Sequence, residues 1–153
     1  MEMNLEELLI SESLKIRELA LNELEQTYPV INQLRKHLSL ESYISHVKAM
    51  SSSGYQIACL FEYDNVVSYV GFERLLNLYY GDHIWVYDLV TDEKRQGNGY
   101  GKMLLSYVEK LAKENSLNCV ALSSGLQRED AHKFYEQAMS YSKASYVFKK
   151  SMM

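Results

Sequence analysis

The chain has 153 residues, 47% of them hydrophobic and one of them proline, which is the size and apolar content of one globular domain with its own core. Sixteen basic against twenty acidic side chains leave a formal charge of -4, which argues against a surface that follows nucleic-acid phosphates. No run approaches about eighteen apolar residues, and Met1 to Ile10 carries Glu2, Glu6 and Glu7 where a secretory leader carries lysine or arginine, so neither a membrane span nor a leader is expected, and the location expected is cytoplasmic. Cys59 and Cys119 stand alone in strand-like apolar runs, and His37, His46, His83 and His132 show no paired spacing. Neither a disulfide framework nor a metal site is expected.

A short helix is expected at the N-terminus, with residues 1–13 a frayed extension of a single domain spanning 1–153. Leu14, Ile16 and Leu19 suggest a first strand, and Asn22 can cap a helix that Pro29 kinks or restarts. Ser39 is a fit N-cap for a helix whose Leu40, Tyr43, Ile44 and Val47 recur at i, i+3, i+4 and i+7. The period then drops to two. Tyr55, Ile57, Cys59, Phe61 and Tyr63 alternate up to the turn dipeptide Asp64-Asn65, which leads into Val66 to Phe72 as a hairpin. A turn at Tyr80-Gly81-Asp82 precedes His83 to Thr91, whose β-branched and aromatic residues predict a central strand. From Gly99 the helical period returns, with Leu104, Leu105, Val108, Leu111 and Ala112 on one face, up to Asn115. Cys119 to Leu122 fits a buried strand parallel to the His83 strand, because the helix between them is the crossover such a pair needs. Asp130 to Ala138 predicts a short helix, and Tyr141 to Lys149 one or two antiparallel strands. The fold expected is mixed α/β: a partly antiparallel central sheet flanked by helices on both faces, built around a βαβ unit.

The turn joining that strand to that helix reads Arg95-Gln96-Gly97-Asn98-Gly99-Tyr100-Gly101-Lys102. Glycine permits positive φ and close approach of a ligand, and the first turn of a helix presents N–H groups that lack internal partners. Together they make an anion cradle suited to phosphate. Two nucleotide-binding loops fail on the letters. GxGxxG from Gly97 needs glycine at Lys102, and a Walker loop ending at Gly101-Lys102 needs glycine at Gln96 and a hydroxyl residue at Met103.

What does fit is Q/R-x-x-G-x-G, here Gln96-Gly97-Asn98-Gly99-Tyr100-Gly101, and with Ala131-His132-Lys133-Phe134-Tyr135-Glu136 on the last helix the chain resembles the GNAT superfamily of N-acetyltransferases from about Leu14 to Lys149. The resemblance implies that residues Gln96 to Lys102 hold the pyrophosphate of acetyl-CoA. It also implies that backbone groups of Leu89, Val90 and Thr91 bind the pantetheine arm and thioester carbonyl, and that Tyr135 is the general acid for direct acetyl transfer to a primary amine. Arg128 stands where many relatives carry an asparagine near the cofactor, and Ser140 where they carry a glycine. The acceptor pocket is expected from Tyr28 to Leu38, Asn77 to Asp82, Tyr141 and Tyr146. The partners implied are acetyl-CoA and a small or protein amine, with a homodimer compatible.

A phenol suits the acid's task because it stays protonated at neutral pH yet can donate to a thiolate. Phe134 and Tyr135 are adjacent and cannot share one helix face, so Phe134 is assigned to the core and Tyr135 to the site. For the base, strand alternation puts His83, Trp85, Tyr87 and Leu89 on one face and Val86 with Asp88 on the other. Asp88 is either the base or a satisfied structural carboxylate, His83 can accept a proton near neutral pH but lies at the strand's far end, and a water-relayed base is a third route. Many relatives carry a glutamate on this strand, and its absence here leaves open a catalytically silent acyl-CoA-binding or sensing module.

Overall fold

The computed structural model describes residues 2–153; Met1, the first residue of the expected domain and its extension, lies outside them. The chain divides into two compact units, Met1–Ala121 and Leu122–Met153.

The first unit is built on a six-stranded sheet whose strands lie in chain order: β1 (Leu8–Leu9), β2 (Leu14–Glu18), β3 (Gln56–Glu62), β4 (Asn65–Asn77), β5 (Gly81–Thr91) and β6 (Val120–Leu122), the last reaching the boundary between units. The first four pairings are antiparallel. At the fifth, the Asn118 N–H donates to the Asp82 carbonyl and the Ile84 N–H to that of Cys119; both numbers rise together, the sense of a parallel pair.

Among the described residues no helix forms before β1. The segment is extended, forms β1, and buries Met3 and Leu5. The Gln56 side-chain amide donates to the Met3 carbonyl and accepts from its N–H, both at 2.8 Å, so a core amide replaces the helical bonds that the letters suggested. The expected helix at Asn22 is a 3-10 segment, Leu21–Thr27, and Pro29 restarts the chain as α1 (Tyr28–Leu34), where its missing N–H costs no helical bond. Ser39 caps α2 (Leu40–Ser51) by accepting from the Ser42 N–H. α3 (Tyr100–Glu114) buries Leu104, Leu105, Val108, Leu111 and Ala112, the face its period predicts.

Residues of β3 and β4 alternate between two packed faces. Tyr55, Ile57, Cys59, Phe61 and Tyr69 join Val30, Ile31, Tyr43 and Val47 of α1 and α2 in one core, and α3 contacts β3, β4 and β5. Cys59 is buried and free, and burial pushes its thiol pKa up; Cys119 is free and half-buried.

The second unit holds α4 (Glu129–Lys133), which runs on into a wider π-helical turn, Phe134–Ala138. Ser140 then takes φ 61°, the left-handed conformation for which glycine is the low-cost residue. The strands expected over Tyr141 to Lys149 do not form: the segment has no regular secondary structure, and Tyr146, Val147 and Phe148 are exposed. Strand propensity is a fit to a pleated, half-buried surface, and without a ladder partner Tyr-Val-Phe carries no such surface.

Candidate functional site

The glycine turn is open and left-handed at two points. Gly97 and Gly99 have φ of 88° and 78°, and a Cβ on either would meet no atom within 4 Å, so backbone conformation alone calls for glycine there. Gly99 is the N-cap of α3 and supplies no side-chain cap. The Met103 N–H bonds to the Gly99 carbonyl, which leaves the N–H groups of Tyr100, Gly101 and Lys102 without a helical partner. Positive potential from the helix dipole adds to them. The residues present therefore fit a diphosphate: unpartnered donors, no Cβ in the way, and the Lys102 ammonium at the helix start.

Glu62, at the end of β3, braces this turn from below. One of its carboxylate oxygens accepts from Arg95 Nε at 3.0 Å and the other from the Tyr100 hydroxyl at 2.9 Å, so the residues on either side of the glycines are tied to one carboxylate. The Asn98 side chain closes the bend by donating to the Arg95 carbonyl. Tyr100 is buried, and its hydroxyl bond to Glu62 pushes its pKa up. Its side chain is structural, and its backbone faces the cradle.

Leu89, Val90 and Thr91 lead into this turn. On one side they pair with Val70, Tyr69 and Ser68 of β4. On the other, β6 starts beside Ile84 and is three residues long, too short at about 3.3 Å per residue to follow β5 to these positions.

Between the two parts of β5 lies a β-bulge. Phe72 pairs with Val86, but its neighbour Gly71 pairs with Asp88, so Tyr87 is the extra residue. This corrects the expected alternation: the bulge reverses the facing of everything after it, and Asp88 lies on the opposite face from Val86, with Tyr55 and Tyr69. There its Oδ2 accepts from the Tyr55 hydroxyl at 2.6 Å and its Oδ1 from Arg35 Nε at 2.8 Å. Arg35 Nη2 also donates to the carbonyl of the bulged Tyr87 at 2.8 Å, a group that the interrupted ladder leaves over. The hydroxyls of Tyr55 and Tyr69 are 3.0 Å apart, those of Tyr69 and Tyr43 3.2 Å, and Tyr43 and Thr27 2.7 Å. Burial first, and the Asp88 charge with it, drive the pKa of Tyr55 well up, and burial does the same for Tyr69. Since Tyr55 gives its one proton to the carboxylate, the hydrogens of this chain point toward Asp88. At its far end the single Thr27 proton is shared between Tyr43 and the buried Leu24 carbonyl, 2.6 Å away; such a chain holds the Asp88 negative charge in place.

His83 is not brought to Asp88. It is fully buried at the other end of β5, opposite Leu75, with Nδ1 2.8 Å from the Gly81 carbonyl and Nε2 without a partner among the described residues. In the second unit, Tyr135 lies within the π-helical turn and is buried while Phe134 is only half-buried, so the expected assignment of Phe134 to the core is reversed; burial raises the Tyr135 phenol pKa, and Arg128 opposes that in part. Its ring lies 6.0 Å from that of Tyr141. Arg128 is exposed and precedes α4. Among the described residues no cluster of histidine, cysteine or carboxylate could hold a metal, and no helix is long and apolar enough to cross a membrane.

Sequence reading missed Gly71, Tyr55, Arg35 and Glu62. Gly71 carried a signal, since glycine inside a strand marks a bulge or a close approach: a Cβ there would lie 1.8 Å from the Tyr55 hydroxyl oxygen. The three others act across 33 to 53 residues of chain, and no local pattern announces them.

The fold, a mixed sheet whose β5 leads through a glycine turn into α3, is shared with known proteins. The solved ribosomal-protein-alanine N-acetyltransferase of Brucella melitensis biovar Abortus 2308 superposes with a TM-score of 0.76 at 21% identity, covering 91% of this chain and 100% of that one. Aminoglycoside N-acetyltransferase AAC(6')-Iy, in complex with CoA, superposes with a TM-score of 0.79 at 10% identity, covering 95% and 100%. The chain is 37% identical over 129 residues to the uncharacterized N-acetyltransferase YhdJ of Bacillus subtilis (strain 168), 84% of this chain and 91% of that one. The acetyltransferase (GNAT) family model matches residues 17–141, and the chain belongs to that family.

Proposed function

We propose that this acetyltransferase moves an acetyl group from acetyl-CoA to a primary amine by direct attack, with Tyr135 as general acid. The observation that carries the reading is the turn at the head of α3, where Gly97 and Gly99 hold positive φ with no atom within 4 Å of a would-be Cβ. The turn's N–H groups, with Gln96 to Lys102, grip the coenzyme's diphosphate; Leu89, Val90 and Thr91 offer backbone groups to the pantetheine and the thioester oxygen. A backbone N–H aimed at that oxygen is worth about 3–4 kcal/mol. Acetyl-CoA supplies the activated acyl group as a thioester.

The proton balance sets what the side chains must do. A lysine-like amine is neutral in about one molecule in a few thousand at pH 7, equivalent to about 4.6 kcal/mol. As the C–N bond forms and the C–S bond breaks, one proton must leave the nitrogen and one must reach the sulfur. Tyr135 gives its phenolic proton to the departing thiolate, a contribution of about 10²- to 10⁴-fold. Both carboxylate oxygens of Asp88 already accept bonds, and His83 is sealed in the core, which favours loss of the amine proton to water or capture of the neutral amine.

Acetyl-CoA turnover over a panel of amines, wild type against Tyr135→Phe, tests this. A loss of about 10²-fold or more in kcat with CoA binding retained is expected. Because burial raises the Tyr135 pKa, wild-type rates should climb with pH as the amine deprotonates and show no alkaline fall below about pH 10. Unchanged turnover in the variant removes Tyr135 as the acid; CoA binding with no turnover on any amine favours the silent sensor.

A further inference from the structure

We infer that Arg35 is a receptor for a carboxylate on the acceptor, so that the amine acetylated carries an acid group beside it, as an α-amino acid does. This inference rests on the transfer reading above and names the substrate class for it. Arg35 follows α1, within the stretch from Tyr28 to Leu38, and is held by two charge-assisted bonds, to Asp88 and to the bulged Tyr87 carbonyl. A guanidinium has five N–H donors; two are used here, and those of Nη1 have no partner among the described residues. The side chain is 39% exposed, whereas that of Asp88 is 13% exposed. The ion pair therefore has a sheltered end and a wet end, and the wet end is an unused planar fork.

Three features make this more than a surface arginine. The fork is fixed, since the Asp88 carboxylate that grips it is itself held by Tyr55 and the buried tyrosine chain. Its place is fixed too: it is bonded to Tyr87 and Asp88, the residues immediately before Leu89, so it sits about one or two strand residues, roughly 3–7 Å, from the backbone assigned to the thioester. Finally, rigid planar donors match carboxylate geometry in a way that a lysine ammonium does not. A polyamine would instead bring a further cation against the guanidinium.

The test uses matched acceptors: L-alanine with L-alaninamide, and glycylglycine with its amide, assayed for acetyl transfer by the wild type, Arg35→Gln and Arg35→Lys. The expected wild-type preference is at least about 10-fold in kcat/KM for each acid over its amide. In Arg35→Gln the acids should lose about 10- to 100-fold, chiefly through KM, with the amides and CoA affinity within about threefold; Arg35→Lys should restore only part. Amides turned over as well as acids by the wild type, or an equal loss for both in Arg35→Gln, overturns the inference and leaves acetyl transfer standing. No turnover of either set also overturns it, and the transfer reading then stands or falls on the wider amine panel. If Arg35→Gln fails to fold, the wild-type acid-to-amide ratio alone decides.

Discussion

Two glycine-dependent regions lie at the ends of one short stretch of β5, and they need glycine for opposite reasons. Gly71 has an ordinary backbone but no room, because the Tyr55 ring passes where its Cβ would be. Gly97 and Gly99 have ample room but a left-handed backbone. The first region is a packed polar network that fixes Arg35 and Asp88 at the bulge; the second is an open turn at the head of α3 whose first N–H groups have no helical partner. Filling the first should damage the fold, and filling the second should damage binding.

Gly71→Ala should have the largest effect on stability. The methyl must displace a buried tyrosine whose hydroxyl bonds both Asp88 and Tyr69, and overpacking together with lost hydrogen bonds costs about 2–4 kcal/mol. Denaturant unfolding of this variant at neutral pH measures it, and a loss below about 1 kcal/mol would mean that Tyr55 can move aside freely.

Tyr55→Phe sharpens the same point without changing volume. It leaves Asp88 and Tyr69 one partner short inside the core and should cost about 1–3 kcal/mol, while CoA affinity stays within about threefold. Combined with Gly71→Ala in a double-mutant cycle, the two losses should fall short of their sum.

Ser140→Gly gives the smallest effect and the opposite sign. Ser140 carries the left-handed φ that glycine carries elsewhere in the chain, so the change should stabilise by at most about 1 kcal/mol. A melting temperature unmoved or lowered would show that the strain is offset locally.

The open region was legible in the sequence and the packed one was not. Gln96 to Lys102 is a contiguous run between a strand pattern and a helical one, and the apolar face of α3 and the Ser39 cap follow from local spacing in the same way. The Tyr55–Asp88–Arg35 network joins residues far apart in sequence, and the bulge at Tyr87 leaves no mark on the alternation of letters, so Asp88 was assigned to the wrong face. The C-terminal Tyr146-Val147-Phe148 shows the reverse error: strong strand letters with no partner to make them a strand.

The central claim is that the N–H groups between Gln96 and Lys102 hold the coenzyme's diphosphate, and titration calorimetry of CoA into the wild type and Gly99→Ala tests it most directly. Saturable binding that weakens at least about 10-fold in the variant, alongside a stability loss of only about 1 kcal/mol, is the predicted result. Equal affinity in both proteins, or no heat from the wild type at millimolar CoA, would contradict it.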